Sequence, residues 1–254
     1  MQVFVVGAPR SGTTRLKTAI ADALAVPQSG EGHFFPIVSE LDATFDSYFE
    51  RLRSRAGPRT MVQQVDAEAL RRGIHERIRA AFESVAGPVF VEKSPGPEAI
   101  RALPFVREQW PEAKVVFARR RGIENVISAL HKFPHWTFEA ACRSWTEAMS
   151  AWLQLDPGIR DSAMAVDQLT MAREPAAVAA AVGAHLGFDP ARIAILEEAF
   201  GKRAHAKRNT RVSSMEELQQ DPIPLAETPW SEEQRAKFVA VCGPTMEAFG
   251  YAIG

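Results

Sequence analysis

Gly7 and Gly12 enclose four residues, between the apolar run Val3-Phe4-Val5-Val6 and a helix-like stretch marked by Leu16, Ile20, Ala23 and Leu24. A glycine-bounded turn from a buried strand into a helix gathers several backbone N–H groups around one concavity. The helix dipole adds positive potential there, so the turn suits a phosphate or sulfate. The spacing is nearly that of a Walker A loop, but the lysine is missing, because Gly12 is followed by Thr13-Thr14. A nucleoside triphosphate enzyme needs that lysine on its β- and γ-phosphates. In this chain Arg10, inside the loop with Ser11, must supply the charge.

Three further groups of residues have chemical potential. Arg119-Arg120-Arg121 ends the apolar run 114–118, and Ser128 follows Arg120 by eight residues. A guanidinium fork bonds a phosphate bidentately, at about 1.5–3 kcal/mol per charge-assisted bond. Glu92-Lys93 closes the run Val89-Phe90-Val91. A carboxylate there suits proton abstraction from a hydroxyl, and the cation suits charge neutralisation. His33, in Gly30-Glu31-Gly32-His33-Phe34-Phe35, is the alternative base, while His131 and His135 flank Phe133-Pro134 and suit a substrate contact. The plain alternatives are a solvated basic turn, a salt bridge at a strand end and a packed histidine. The first gains weight because 23 of the 30 basic residues are arginine.

The elements that must position these groups are legible from periodicity. Four short β-branched or aromatic runs, at 3–6, 89–91, 114–118 and 163–166, each precede a turn and a helical pattern. That alternation predicts βαβ units and a parallel sheet, with ligands beyond the carboxyl ends of the strands. An insertion over about 27–86 reads as helical pieces forming a cap or lid over the sheet edge. From Phe138 a helix places Cys142, Trp145, Met149 and Trp152 on one stripe, expected to be core or a subunit contact. A last helix is expected from Ser231 to Phe249.

Composition narrows the class. With 46% hydrophobic and 24% charged residues the chain is of globular type, and 254 residues fit one α/β domain. A net charge of −1 gives no support to a nucleic-acid partner. No run approaches the roughly 18 apolar residues of a membrane span. Neither a charged leader nor a cleavage site precedes the first strand, so a cytoplasmic location is expected. Two cysteines a hundred residues apart form no disulfide framework, and no His/Cys/Asp spacing suggests a metal. Oligomeric state is not readable.

Pro9-Arg10-Ser11-Gly12-Thr13-Thr14 resembles the 5′-phosphosulfate loop of sulfotransferases that use 3′-phosphoadenosine 5′-phosphosulfate (PAPS). Arg120 with Ser128 is similar to that family's 3′-phosphate signature, although Arg120-Arg121-Gly122 stands where Arg-Asp-Pro or Arg-Asn-Pro is usual. Val91-Glu92-Lys93-Ser94-Pro95 is similar to the Glu-Lys-Ser/Thr segment of carbohydrate-type members. The stretch from Ala165-Val166-Asp167-Gln168-Leu169 to Leu186-Gly187-Phe188 resembles the late strand and helix of bacterial members. Lys207-Arg208-Asn209-Thr210-Arg211 is similar to a C-terminal basic loop that closes on the 3′-phosphate.

The resemblance implies a P-loop NTPase-like α/β fold and one sulfotransferase domain over 1–254. It implies PAPS as co-substrate, no required metal, and a small-molecule or glycan acceptor. Arg10, Ser11, Gly12, Thr13 and Thr14 would hold the 5′-phosphosulfate, Arg120 and Ser128 the 3′-phosphate. Glu92 would be the base, with Lys93 and Arg10 neutralising charge. An amine acceptor stays open beside a hydroxyl. The insertion and the region 131–152 would shape the acceptor pocket. The rivals are a small-molecule kinase using ATP and Mg²⁺ and a non-catalytic nucleotide-binding module.

Overall fold

The computed structural model describes residues 1–28, 30–33, 35–201 and 222–253. Four strands form one sheet: β1 (Gln2–Gly7), β2 (Phe90–Lys93), β3 (Lys114–Arg119) and β4 (Met164–Asp167). The order is β2-β1-β3-β4 and every pairing is parallel. Both chain neighbours of β1 in the sheet come later in sequence, on opposite sides of it. The turn after β1 therefore lies at a switch point, where parallel sheets open a crevice beyond their carboxyl ends.

Thirteen helices surround the sheet among the described residues. They are α1 (Thr13–Ala23), α2 (Pro36–Arg53), α3 (Met61–Gln64), α4 (Ala67–Ala86), α5 (Pro97–Arg101), α6 (Leu103–Gln109) and α7 (Gly122–Lys132), followed by α8 (Phe138–Leu153), α9 (Pro157–Asp161), α10 (Gln168–Arg173), α11 (Pro175–Leu186), α12 (Pro190–Gly201) and α13 (Glu232–Ala248). The single helical pattern expected after β2 is two helices. Pro104 sits in the first turn of α6, where it removes a donor and forces a new start. The short α10 and the whole of α12 lie where no helix was expected.

Period-two alternation divides the side chains of each buried strand between two cores. Phe4, Val6, Phe90, Val115 and Phe117 face a cluster with Ile123, Trp145, Trp152 and Phe238. Val3, Val5, Val91, Val116 and Ala118 face Leu16, Ile20, Val178, Val182, Leu196 and Phe200. Helix α8 thus contributes Trp145 and Trp152 to the interior, which rules out the subunit-contact reading of that stripe. Trp152 lies flat on Phe117 with centroids 3.9 Å apart. Cys142 and Cys242 are both free and buried in this layer.

The insertion is anchored by aromatic side chains beside the edge strand β2. Phe35 meets Phe4 at 5.3 Å and Phe82 meets Phe90 at 4.9 Å, both edge-on, while the Trp110 indole donates to Glu83 at 2.7 Å. Helices α2 and α4 pack on each other and against α5 and α6 on the β2 side of one sheet face. His75 is buried between them, with Asp42 at 2.9 Å and Glu108 at 3.4 Å from its two ring nitrogens. The segment that reaches the carboxyl ends of the strands is the loop 30–33.

Strands β1 and β3 approach most closely where the first turn begins. Gly7 pairs with Ala118, and a Cβ on Gly7 would lie 2.2 Å from the Ala118 carbonyl oxygen. Its φ of +152° also suits glycine alone. Gly7→Ala is expected to destabilise the fold by about 2 kcal/mol or more. Thermal unfolding followed by circular dichroism checks this, and a melting temperature equal to the parent's would contradict the close-approach argument.

Candidate functional site

The loop after β1 turns through left-handed backbone, with the Ser11 N–H on the Ala8 carbonyl at 3.2 Å. Arg10 has φ +71° and Gly12, the N-cap of α1, has φ +91°, both left-handed. No side chain caps α1 and no acidic residue lies in its first turn. The positive end of this helix is therefore left to whatever anion the loop receives. The Ser11 hydroxyl is not directed at that concavity: it is fully buried and accepts a bond from Asn125 Nδ2 at 3.1 Å. Asn125 also donates to the Pro9 carbonyl at 2.9 Å, so α7 pins the loop in place. Thr13 is buried and Thr14 exposed.

On the β3 side the structure brings together the residues that sequence reading paired. Arg10 Nε donates to Ser128 Oγ at 3.1 Å, and Arg120 Nη1 donates to the Arg10 carbonyl at 3.2 Å. Trp145 Nε1 in turn holds the Arg120 carbonyl at 2.9 Å. Arg120 Nε is buried and has no hydrogen-bond partner among the described residues. Burial pushes this guanidinium down to about 10, against a smaller opposing effect of Glu124, and it stays cationic at neutral pH. Burial also lowers Arg10.

The other two arginines are spent on structure. Arg121 donates to the carbonyls of Ala252 and Ile223 and pairs with Glu124 at 2.7 Å. Arg119 lies 3.7 Å from Asp167 and over the Tyr251 ring, and the Tyr251 hydroxyl donates to the same carboxylate at 2.5 Å. The three adjacent arginines thus go to the chain terminus, the site and the end of β4.

On the β2 side, Lys93 crosses to the loop. Its Nζ donates to Thr14 Oγ1 at 3.3 Å and is ion-paired with Glu31, although the ammonium is only 4% exposed. Glu92 points the other way, as neighbours in a strand do. Its carboxylate accepts Ser94 Oγ at 2.6 Å and the Gly32 N–H, and burial pushes it up to about 7 against those bonds. His33 is well exposed. Its backbone N–H donates to Ser94 Oγ at 3.2 Å and its Nε2 lies 3.2 Å from Glu31. Lys17 is buried on α1, donates to Gln28 at 3.3 Å, and is lowered by burial and then by the nearby Lys93.

Sequence reading missed Glu31 and Asn125. Glu31 stood in a segment already quoted, a carboxylate between two glycines. Asn125 carried no local signal, because its partners are about 115 residues away. Trp145 was expected as core, and its bond to the Arg120 carbonyl is what the structure adds. His131 and His135 are exposed, and the His135 ring lies edge-on to Phe133 at 6.3 Å. The run 207–211 lies outside the described residues. Among the described residues, no three His, Cys, Asp or Glu side chains are arranged to hold a metal ion. None of the described helices is long and apolar enough to cross a membrane.

Glu92 has a thermodynamic signature. Between its ordinary value and about 7 the folded chain holds a proton that the unfolded chain has released, so stability falls as pH rises through that window. Glu92→Gln, neutral at every pH, is expected to melt above the parent at pH 8, with a gap that shrinks towards pH 5. Parallel melting curves of the two proteins across that range would contradict the buried-carboxyl assignment.

Comparison with known proteins agrees with this fold. Three solved structures share the fold. The sulfotransferase domain from the Synechococcus PCC 7002 olefin synthase has TM-score 0.57 and 16% identity, covering 100% of this chain and 96% of that one. The sulfotransferase domain from the curacin biosynthetic pathway has TM-score 0.53 and 15% identity, covering 99% and 98%. Sulfotransferase STF9 from Mycobacterium avium has TM-score 0.54 and 14% identity, covering 99% and 77%. No curated protein matches. The model of the sulfotransferase family matches residues 2–191, three quarters of the sequence, and the chain belongs to that family.

Proposed function

We propose that this sulfotransferase takes its sulfuryl group from PAPS and passes it in line to a hydroxyl of a small-molecule or glycan acceptor. One observation carries the reading: two cationic positions flank a loop that lacks the Walker lysine. Arg120, with Arg10 and Ser128, stands on the β3 side, and Lys93, with Thr14, stands on the β2 side. A donor with one anion on its ribose and another at its 5′ end fits both. The unpartnered Arg120 Nε and the uncapped helix support that fit. A kinase reading leaves Arg120 and Ser128 without a task.

In this reading the loop 10–14 binds the 5′-phosphosulfate through backbone N–H groups, and Arg120, Arg10 and Ser128 bind the 3′-phosphate. Lys93 and Thr14 meet the sulfuryl group. The bond from sulfur to the donor's phosphate oxygen breaks as the bond from the acceptor oxygen forms, and the acceptor proton passes to a carboxylate. The protein's part is positioning and charge stabilisation, as in phosphoryl transfer.

Glu31 suits the proton best, because it is part-exposed and already at Lys93. Glu92, the base expected from sequence, is 5% exposed with its oxygens engaged by Ser94 and Gly32. It remains the second reading, favoured by a carboxyl poised at about 7.

Isothermal titration calorimetry tests the donor. 3′,5′-Diphosphoadenosine is expected to bind without magnesium and ATP to bind at least about tenfold more weakly, with Arg120→Ala abolishing the difference. The reverse preference would favour the kinase. Sulfate transfer to a hydroxyl panel then assigns the base. The variant that removes it, expected to be Glu31→Gln, lowers kcat at least about a hundredfold with nucleotide binding retained. If Glu92→Gln has that effect and Glu31→Gln does not, the second reading stands.

A further inference from the structure

The loop 30–33 sets one carboxylate, Glu31, between Lys93 and the His33 ring. Glu31 Oε1 is on the buried Lys93 ammonium, and Glu31 Oε2 is 3.2 Å from Nε2 of the exposed His33. Gly30 and Gly32 flank the glutamate, which leaves its backbone free to turn. Thr14, the other partner of Lys93, lies in the first turn of α1, at the positive end of the helix. An anion that reaches Thr14 therefore meets a lysine already carrying a carboxylate.

We infer that Glu31 discriminates between the loaded and the spent donor nucleotide by competing with the terminal sulfonate for Lys93. This rests on the PAPS reading above. The sulfonate extends one sulfur–oxygen unit beyond the 5′-phosphate, towards Thr14 and Lys93. The spent nucleotide ends at the phosphate and has no group to place there. Two anions on one buried ammonium repel in a medium that screens them weakly, so the sulfonate displaces Glu31 and the phosphate alone does not.

The displaced carboxylate keeps its bond to His33 at the mouth of the site. Donor loading and the position of the carboxylate are thereby coupled, and the coupling is reciprocal: whatever sulfonate binding does to the Glu31–Lys93 pair, removal of that pair does to sulfonate binding. His33 is the positioning residue that receives the carboxylate.

The test is the affinity of the full chain for PAPS and for 3′,5′-diphosphoadenosine, by calorimetry without acceptor, in the parent, Glu31→Gln, Lys93→Met and the double variant. Glu31→Gln is expected to tighten PAPS about tenfold and leave 3′,5′-diphosphoadenosine within about twofold. In the Lys93→Met background the same substitution is expected to change neither. Equal effects on both nucleotides, a weaker PAPS complex in Glu31→Gln, or an undiminished effect without Lys93 would overturn the inference while the PAPS reading stands. If the parent binds neither nucleotide, both fall together.

Discussion

A guanidinium buried at the end of β3, with one of its nitrogens unpartnered, is the constraint around which this site is organised. Taking such a charge out of water is costly unless hydrogen bonds or an anion complete it. The fold supplies part of the completion through the Arg10 carbonyl and leaves the buried Nε without a partner among the described residues. The Trp145 indole fixes the Arg120 carbonyl from the core, and Asn125 fixes the loop that carries Arg10. Each support comes from a different helix packed on the same sheet face. The cation is thus held by the core itself.

The same economy governs the neighbouring charges. Arg119 and Arg121 are absorbed by carboxylates and by carbonyls near the chain terminus, so the tight turn between β3 and α7 presents one arginine to the crevice. On the opposite side of β1, Lys93 and Lys17 are buried beside Glu31 and Glu92. Here two cations and two carboxylates nearly balance. On the β3 side Arg120 is held by core packing, whereas on the β2 side Lys93 is paired with a part-exposed carboxylate; in the proposed reading the first receives an anion and the second exchanges one. That asymmetry suits a reaction in which one end of the donor stays and the other leaves.

The insertion makes a limited contribution. Its helices dock through Phe35, Phe82 and the edge-on aromatic contacts around Phe4 and Trp110, on the β2 side of one face. That docking places the loop 30–33 against Ser94 and Lys93. The helices at the sheet edge serve as a mount for a short acidic loop.

What the sequence determined by itself was local. Short β-branched or aromatic runs marked the four strands, the 3.6-residue period marked most helices, and the glycine spacing marked the turn after the first strand. Each depends on neighbours close in the chain, so each was legible without a fold. The tertiary structure decided which residues share a crevice. The order β2-β1-β3-β4 sets Lys93 and Arg120 on opposite sides of one loop, and no local pattern encodes that order. It also decided which of three adjacent arginines faces the site, and it turned Glu92 inward while bringing Glu31 onto Lys93. Burial and pairing between side chains tens of residues apart are set by packing, and packing exists only once the sheet has formed.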